Sequence, residues 1–117
     1  MNAITRIDTN TRMSRVVKTA GLIFIGGLTA SERDADIRAQ TRQVLDKIDA
    51  FLAQAGVDKT RLVSAQIWLA DIARDFAGMN EVWDAWAAPG EAPTRATVEA
   101  RLAAPDLLVE IAVIARE

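Results

Sequence analysis

The sequence has no histidine, no cysteine and no tyrosine among its 117 residues. Without cysteine, the chain can form no disulfide, no thiolate nucleophile and no cysteine metal site. Without histidine, it lacks an imidazole general base, the Ser–His pair of many hydrolases and the commonest zinc ligand. Any acid–base chemistry must therefore use carboxylates, lysine, arginine-bound substrate groups or water.

A strong charge of one sign and a long apolar run are also missing. The 14 basic and 16 acidic residues give a formal net charge of −2, so neither nucleic acid nor an anionic membrane is an expected partner. The longest apolar run, 22–28, is too short to span a bilayer, and the N-terminal segment lacks the apolar stretch of a signal peptide. We therefore expect one cytoplasmic domain over residues 1–117.

The hydrophobic periodicity predicts an α+β fold with the element order ββαβαββ. Two helices can cover only one face of the resulting mixed sheet. The uncovered face carries apolar side chains, among them Trp68, and its burial requires a second copy of the chain, so we expect a homo-oligomer. The predicted strands are 15–19, 22–29, 61–70, 95–102 and 107–115, with a further short strand over 4–8, and the predicted helices are 34–55 and 75–86.

The same patterns assign individual side chains to the core or to solvent. Alternation in the strand 61–70 directs Val63, Ala65, Ile67 and Leu69 toward the helices and Leu62 away from them. An apolar stripe on the second helix places five side chains in the core: Phe76, Met79, Val82, Trp83 and Trp86. Gln40 and Gln43 of the first helix are expected to be solvated. The pair Gly26–Gly27 interrupts a strand, which leaves two alternatives, a structural bulge or a ligand-binding backbone.

Glu110 is the most unusual residue, because it lies within the apolar strand 107–115. A carboxylate there is costly unless it is paired or hydrogen-bonded. Arg95 is the natural partner, since the turn at 103–106 is expected to fold its strand against the last one. Two alternatives follow. One is a structural ion pair between Arg95 and Glu110, or between Glu99 and Arg101. The other is an Arg95 that binds a substrate carboxylate while Glu110 orients a water molecule.

Six segments in order resemble the RidA/YjgF family, which is also called the L-PSP or reactive-intermediate deaminase family. Each segment is weak alone, but their order and spacing together are specific. The segments are an apolar strand ending in Gly26–Gly27, a Q-x-x-x-V-L-x-x-I helix over 40–48, an L-x-x-A-G segment over 52–58, an F-x-x-M-N-x-x-W helix over 76–83, a P-x-R element over 93–95 and a V-E-I-x-x-I-A strand over 109–115.

The resemblance implies a chorismate-mutase-like fold and a homotrimer with sites in the clefts between subunits. In deaminating members the residue matching Arg95 grips the substrate carboxylate, and the residue matching Glu110 positions the attacking water. The implied reaction converts a 2-imino acid, such as 2-iminobutanoate or 2-iminopropanoate, into a 2-oxo acid and ammonia without a metal or an organic cofactor. The substrate-binding set carried over is Arg95, Gly26, Gly27, Asn80 and Thr97.

The sequence departs from deaminating members at three positions. Those members commonly carry a hydroxyl residue at the place of Gly26, many carry cysteine at the place of Thr97, and they have an N-terminal tyrosine where this chain has none. The segment 83–86 is more typical of divergent subgroups. These departures keep an alternative open, a non-catalytic module that binds a small carboxylate. An RNA-cleaving function, the family's older label, is disfavoured by the net charge and by the absence of histidine.

Overall fold

The structure is a computed structural model that describes residues 3–117. It contains one six-stranded mixed sheet in the order β1-β2-β3-β6-β4-β5, with two helices packed on one face. This arrangement confirms the predicted fold class. The elements are β1 (Thr5–Thr9), β2 (Ser14–Thr19), β3 (Leu22–Leu28), α1 (Ile37–Gln54), a 3₁₀ turn (Lys59–Arg61), β4 (Leu62–Leu69), α2 (Ile72–Trp86), β5 (Thr94–Glu99) and β6 (Val109–Arg116).

The strand order differs from the sequence expectation at one point that matters for the site. The turn at 103–106 was expected to fold β5 against β6, but β4 lies between these two strands. The helix α2 carries the chain back across the sheet, so β5 pairs parallel with β4. The chain then passes over the end of β4, where Ala100 N donates to Leu69 O and Ala70 N donates to Leu108 O.

The helices begin where aspartate side chains cap them. The carboxylate of Asp36 accepts a hydrogen bond from Ala39 N, and that of Asp71 accepts one from Arg74 N. Consequently α1 starts at Ile37, later than predicted, and α2 starts at Ile72, earlier than predicted. Between the helices and the sheet lies the hydrophobic core, which includes Ile23, Leu45, Ile48, Leu52, Ile67 and Ile111.

A bulge at the start of β4 reverses the predicted orientation of its first two side chains. Leu62 pairs with Ala115 and Ser64 with Ile114, so Val63 is an extra residue in the ladder. As a result Leu62 is buried and Val63 is 46% exposed, whereas Ala65, Ile67 and Leu69 face the core as predicted.

Two other burial predictions, those for Phe76 and Gln40, are wrong. Phe76 is 42% exposed instead of packing in the core, and the neighbouring Asp75 is buried in its place. Arg74 makes that burial possible, because its Nε and Nη2 donate to the two oxygens of the Asp75 carboxylate at 3.0 and 2.8 Å.

Gln40 is fully buried rather than solvated. Its amide nitrogen donates to the carbonyls of Arg33, Ala35 and Asp106, and its Oε1 accepts from Leu108 N at 3.0 Å. The side chain therefore ties the start of α1 to the residues that lead into β6. Gln43 is half-buried and accepts one hydrogen bond, from Glu32 N.

The helices of residues 3–117 are all too short or too polar to cross a membrane.

Candidate functional site

Arg95 lies on the edge strand β5 and faces the helices. It is level with the buried Ala65 of β4, and its guanidinium carbon lies 5.4 Å from the centre of the Trp83 ring on α2. Trp83 is 5% exposed, so its ring is held by the core and forms a platform under the charge. Within residues 3–117, no carboxylate forms an ion pair with Arg95.

Asn80 and Thr97 lie on the same side of the sheet as Arg95. Thr97 is two residues along β5, and Asn80 is one helical turn before Trp83, toward Thr97, because α2 runs antiparallel to β5. Among the described residues, Asn80 Oδ1 and Thr97 Oγ1 are the two buried side-chain polar atoms without a hydrogen-bond partner. Such atoms are uncommon in native proteins and indicate a place where a ligand or water can bind.

The exposed Phe76 completes this side of the site. It lies one turn before Asn80 on the same face of α2, and it has 42% of its surface exposed. We call the surface formed by Phe76, Asn80, Trp83, Arg95 and Thr97 the α2–β5 groove. The sequence predicted that Phe76 and Trp83 both pack in the core. An aromatic stripe on a helix has the same spacing whether all of it is buried or one edge faces solvent, so the exposure of Phe76 could not be predicted.

Glu110 lies on the opposite face of the sheet, which the helices do not cover (the open face). It is level with Trp68 of β4, and its side chain lies against the backbone of Gly27 on β3. A Cβ atom at position 27 would overlap the carboxylate of Glu110 and come within 3.0 Å of its Cδ. Glycine is therefore required at position 27 for Glu110 to approach the β3 backbone this closely.

The pair Gly26–Gly27 forms a β-bulge. Ile25 pairs with Val113 and Leu28 with Ile111, so the two glycines together oppose the single residue Ala112. The predicted bulge is therefore present and directs both glycines to the open face, while a ligand-binding role for its backbone stays a prediction. A Cβ atom at Gly26 would lie 3.2 Å from Met13 Cε, so the Met13 thioether packs on this glycine. We call Met13, Gly26, Gly27 and Glu110 the bulge half-site.

The α2–β5 groove and the bulge half-site do not meet within one chain. Arg95 and Glu110 face opposite sides of the sheet with β4 between them, and Arg95 is level with Ala65 whereas Glu110 is level with Trp68, three residues away. The ion pair considered from the sequence is therefore absent from residues 3–117. Glu99 and Arg101 make none either, since Glu99 Oε1 instead accepts from Ile72 N at 3.1 Å.

Two pockets of the single chain lie near these surfaces, and one of them includes Gly26 of the bulge half-site. One pocket, of ≈ 770 Å³, follows the end of β5 and is lined by Ala70 and residues 99–105. A smaller one, of ≈ 320 Å³, lies on the open face next to Gly26 and is lined mainly by apolar side chains, including Phe24 and Ile114. Residues 3–117 contain no group of three or more acidic side chains placed to hold a metal ion.

Comparison with known proteins identifies the family. Residues 3–117 match the family described as Endoribonuclease L-PSP. The chain is 44% identical over 112 residues to a RutC family protein of Haemophilus ducreyi, covering 96% of this chain and 95% of the relative. It is 43% identical over 112 residues to the RutC family protein YoaB of Escherichia coli, with 96% of each chain covered.

A solved structure extends the likeness to three dimensions. A member of the YjgF protein family from Neisseria meningitidis superposes with a TM-score of 0.94 at 43% identity, covering 98% of this chain and 95% of the other. The chain belongs to the RidA/YjgF family. The resemblance read from the six sequence segments is thus confirmed. In this RidA/YjgF chain the matched residues divide between the two surfaces: Asn80 and Arg95 lie in the α2–β5 groove, and Gly26, Gly27 and Glu110 lie in the bulge half-site.

Proposed function

We propose that the protein hydrolyses reactive 2-imino acids, and the enamines that tautomerise to them, to 2-oxo acids and ammonia. The observation that carries this proposal is the state of Arg95: its guanidinium rests on Trp83 at the edge of the sheet and has no carboxylate partner within the described residues. A free guanidinium on a fixed ring is suited to bind a substrate carboxylate through two parallel hydrogen bonds.

In this proposal Glu110 orients the attacking water and moves protons. The water oxygen bonds to the carbon of the C=N group while Glu110 takes a water proton and delivers it to the nitrogen. The carboxylate then transfers a second proton, from the hydroxyl of the adduct to the nitrogen, as the C–N bond breaks. Ammonia leaves, and the carbonyl of the 2-oxo acid remains. Imines also hydrolyse unaided in water, so positioning supplies most of the required acceleration.

The proposed reaction needs more than one subunit, because Arg95 and Glu110 of one chain face opposite sides of the sheet. We propose a cytoplasmic homotrimer in which the α2–β5 groove of one subunit meets the bulge half-site of its neighbour. Exposed apolar side chains on the open face, such as Phe24 and Val98, support an interface there. The substrate would then bind between Arg95 and Thr97 of one chain and Glu110 of the other.

Light scattering tests the assembly directly. The wild-type chain of 12.7 kDa is expected to elute at three times its mass. Phe24→Glu places a charge on the open face, which the proposed interface would bury, and is expected to dissociate the trimer. Ala53→Glu, on the exposed side of α1, is the control and should remain trimeric. A stable wild-type monomer at micromolar concentration would refute the arrangement.

The reaction is tested by supplying imines from an amino-acid oxidase and following the release of ammonia. Arg95→Ala is expected to lower kcat/KM about a hundredfold or more, because each charge-assisted hydrogen bond contributes about 1.5–3 kcal/mol. Glu110→Gln should lower kcat, since an amide cannot accept the water proton. Arg42→Ala, an exposed arginine of α1, serves as the control. Unchanged ammonia release in Arg95→Ala would remove this residue from the mechanism.

A non-catalytic module that binds a small carboxylate is the second candidate. The bulge half-site supports it, because Gly26 has no hydroxyl and Met13 occupies the space beside it. A carboxylate that raises the melting temperature through Arg95, in a protein that does not accelerate imine hydrolysis, would favour this candidate.

A further inference from the structure

Met13 lies beside the proposed catalytic carboxylate. The Gly26–Gly27 bulge directs both glycines to the open face, where Met13 packs on Gly26 and Glu110 packs on Gly27. The thioether methyl and the carboxylate therefore flank the same bulge. A substrate carbon that receives water from Glu110 would lie close to this bulge, within reach of Met13.

A network of hydrogen bonds fixes the loop that presents Met13. Asn10 Oδ1 accepts from Arg12 N at 2.8 Å and from Met13 N at 2.9 Å, and Asn10 N donates to Met13 O at 2.9 Å. Thr9 Oγ1 and Ser14 Oγ lie 2.8 Å apart and close the hairpin beneath the loop. The backbone of Met13 is consequently ordered before a ligand arrives, and the side chain keeps the adaptable shape of a thioether.

The surroundings of Met13 on the open face are also apolar. The adjacent ≈ 320 Å³ pocket is lined by Phe24, Gly26, Ala112 and Ile114, with Ser64 and Gln66 as its polar members. On this side of the site Glu110 supplies a negative charge, and Met13 supplies an apolar methyl group beside it.

We propose that Met13 is a specificity-determining residue, and that it makes the site select carboxylates with an aliphatic or other apolar side chain over carboxylates with a polar one. The inference rests on one part of the proposed function, namely that Arg95 of one subunit and Glu110 of its neighbour form a single site. It concerns which side chains fit beside Glu110, and it holds for a deaminase and for a binding module alike.

Two stable carboxylates of nearly the same shape test the proposal by calorimetry: 4-methylpentanoate and its polar isostere succinamate. The wild-type protein is expected to bind 4-methylpentanoate about tenfold more tightly, within the range by which an apolar wall discriminates between small groups. Met13→Gln keeps the length of the side chain but adds an amide, and it should reduce the ratio of the two dissociation constants to about threefold or less. Met13→Leu should retain the wild-type preference.

Each outcome decides the inference. A wild-type protein that binds neither carboxylate or prefers neither, or a Met13→Gln variant that keeps the wild-type ratio, overturns it. Arg95→Ala, measured with both ligands, establishes that the carboxylate group binds at the proposed site. Ammonia release from imines is measured separately. If the protein discriminates as expected but releases no ammonia, deamination fails and the specificity role of Met13 stands.

Discussion

The guanidinium carbon of Arg95 lies 5.4 Å from the centre of the Trp83 ring, across the boundary between β5 and α2. The contact joins an edge strand, whose side chains are exposed or half-buried, to a residue that the core holds firmly. A free arginine side chain has about 2 kcal/mol of rotamer entropy to lose on binding. The ring restricts that freedom in advance, so Trp83 acts as a positioning residue for Arg95.

Replacement of Trp83 is expected to weaken carboxylate binding more than the chemical step. A cation–π contact contributes about 0.5–2 kcal/mol, which corresponds to roughly a two- to thirtyfold rise in KM for Trp83→Leu. Trp83→Phe keeps a ring and should recover part of the loss, while kcat stays close to wild type in both variants. The control is Trp86→Phe, which changes the neighbouring ring that packs against Trp83 and Lys59 and leaves the Trp83 ring under Arg95 in place. Steady-state kinetics on imines measure the effect, and a fall in kcat with an unchanged KM would contradict this role.

The two glycines of the bulge are expected to respond differently to alanine. In Gly27→Ala the new methyl group displaces the Glu110 carboxylate, which can rotate away, so the fold survives while the water-orienting group moves. A misplacement of about 1 Å can lower turnover about a hundredfold. Gly26→Ala meets only the flexible end of Met13, at 3.2 Å, and should reduce turnover far less. Thermal denaturation should give melting temperatures near that of the wild type for both variants. Ammonia release from imines then measures the difference in turnover. Equal activities would show that Glu110 does not depend on Gly27.

Gln40 is expected to be among the polar residues most important for stability. Gln40→Leu removes four part-buried hydrogen bonds, so three carbonyls and the N–H of Leu108 lose their partner. Each buried group without a partner costs about 1–3 kcal/mol, so the free energy of unfolding should fall by about 3 kcal/mol or more. Urea denaturation measures the loss. Gln43→Leu removes a single hydrogen bond and is the matched control. Similar losses in both variants would mean that the Gln40 network does not stabilise the fold.

The pH dependence of stability is expected to include a contribution from Asp58. The hydroxyl and then the backbone N–H of Thr60 donate to its carboxylate, and the charges of Arg61 and Lys59 add to them, which lowers the pKa of Asp58. A lowered folded-state pKa stabilises the protein fully above the ordinary carboxyl pKa of about 3.9, and this stabilisation disappears as the pH falls through the folded value.

The variant Asp58→Asn tests this contribution, because it keeps an acceptor for Thr60 and removes the charge. Denaturation curves should show that the stability advantage of the wild type over Asp58→Asn is present at neutral pH and shrinks in acid. Asp84→Asn, at an exposed position on α2, is the matched control for the loss of one carboxylate. An advantage that stays constant down to pH values below the folded pKa would rule out the linkage.

The local elements and the chemically unusual residues could be predicted from the order of amino acids alone. The spacing of apolar side chains predicted both helices and every strand, with ends that shift by a few residues where Asp36 and Asp71 form the caps. Glu110 stood out because a charge interrupts an apolar strand, and Gly26–Gly27 stood out because glycine pairs are rare inside strands. These signals are local, since side-chain periodicity and backbone freedom belong to a few consecutive residues.

The strand order, and with it the layout of the site, could be seen only in the folded chain. Because β4 lies between β5 and β6, and because Arg95 and Glu110 face opposite sides of the sheet, the two residues cannot pair within one chain. The burial of Gln40, the exposure of Phe76 and the packing of Met13 on Gly26 likewise depend on segments distant in the sequence. Strand pairing is chosen by the free energy of long-range packing and hydrogen bonding, which no local pattern of residues encodes.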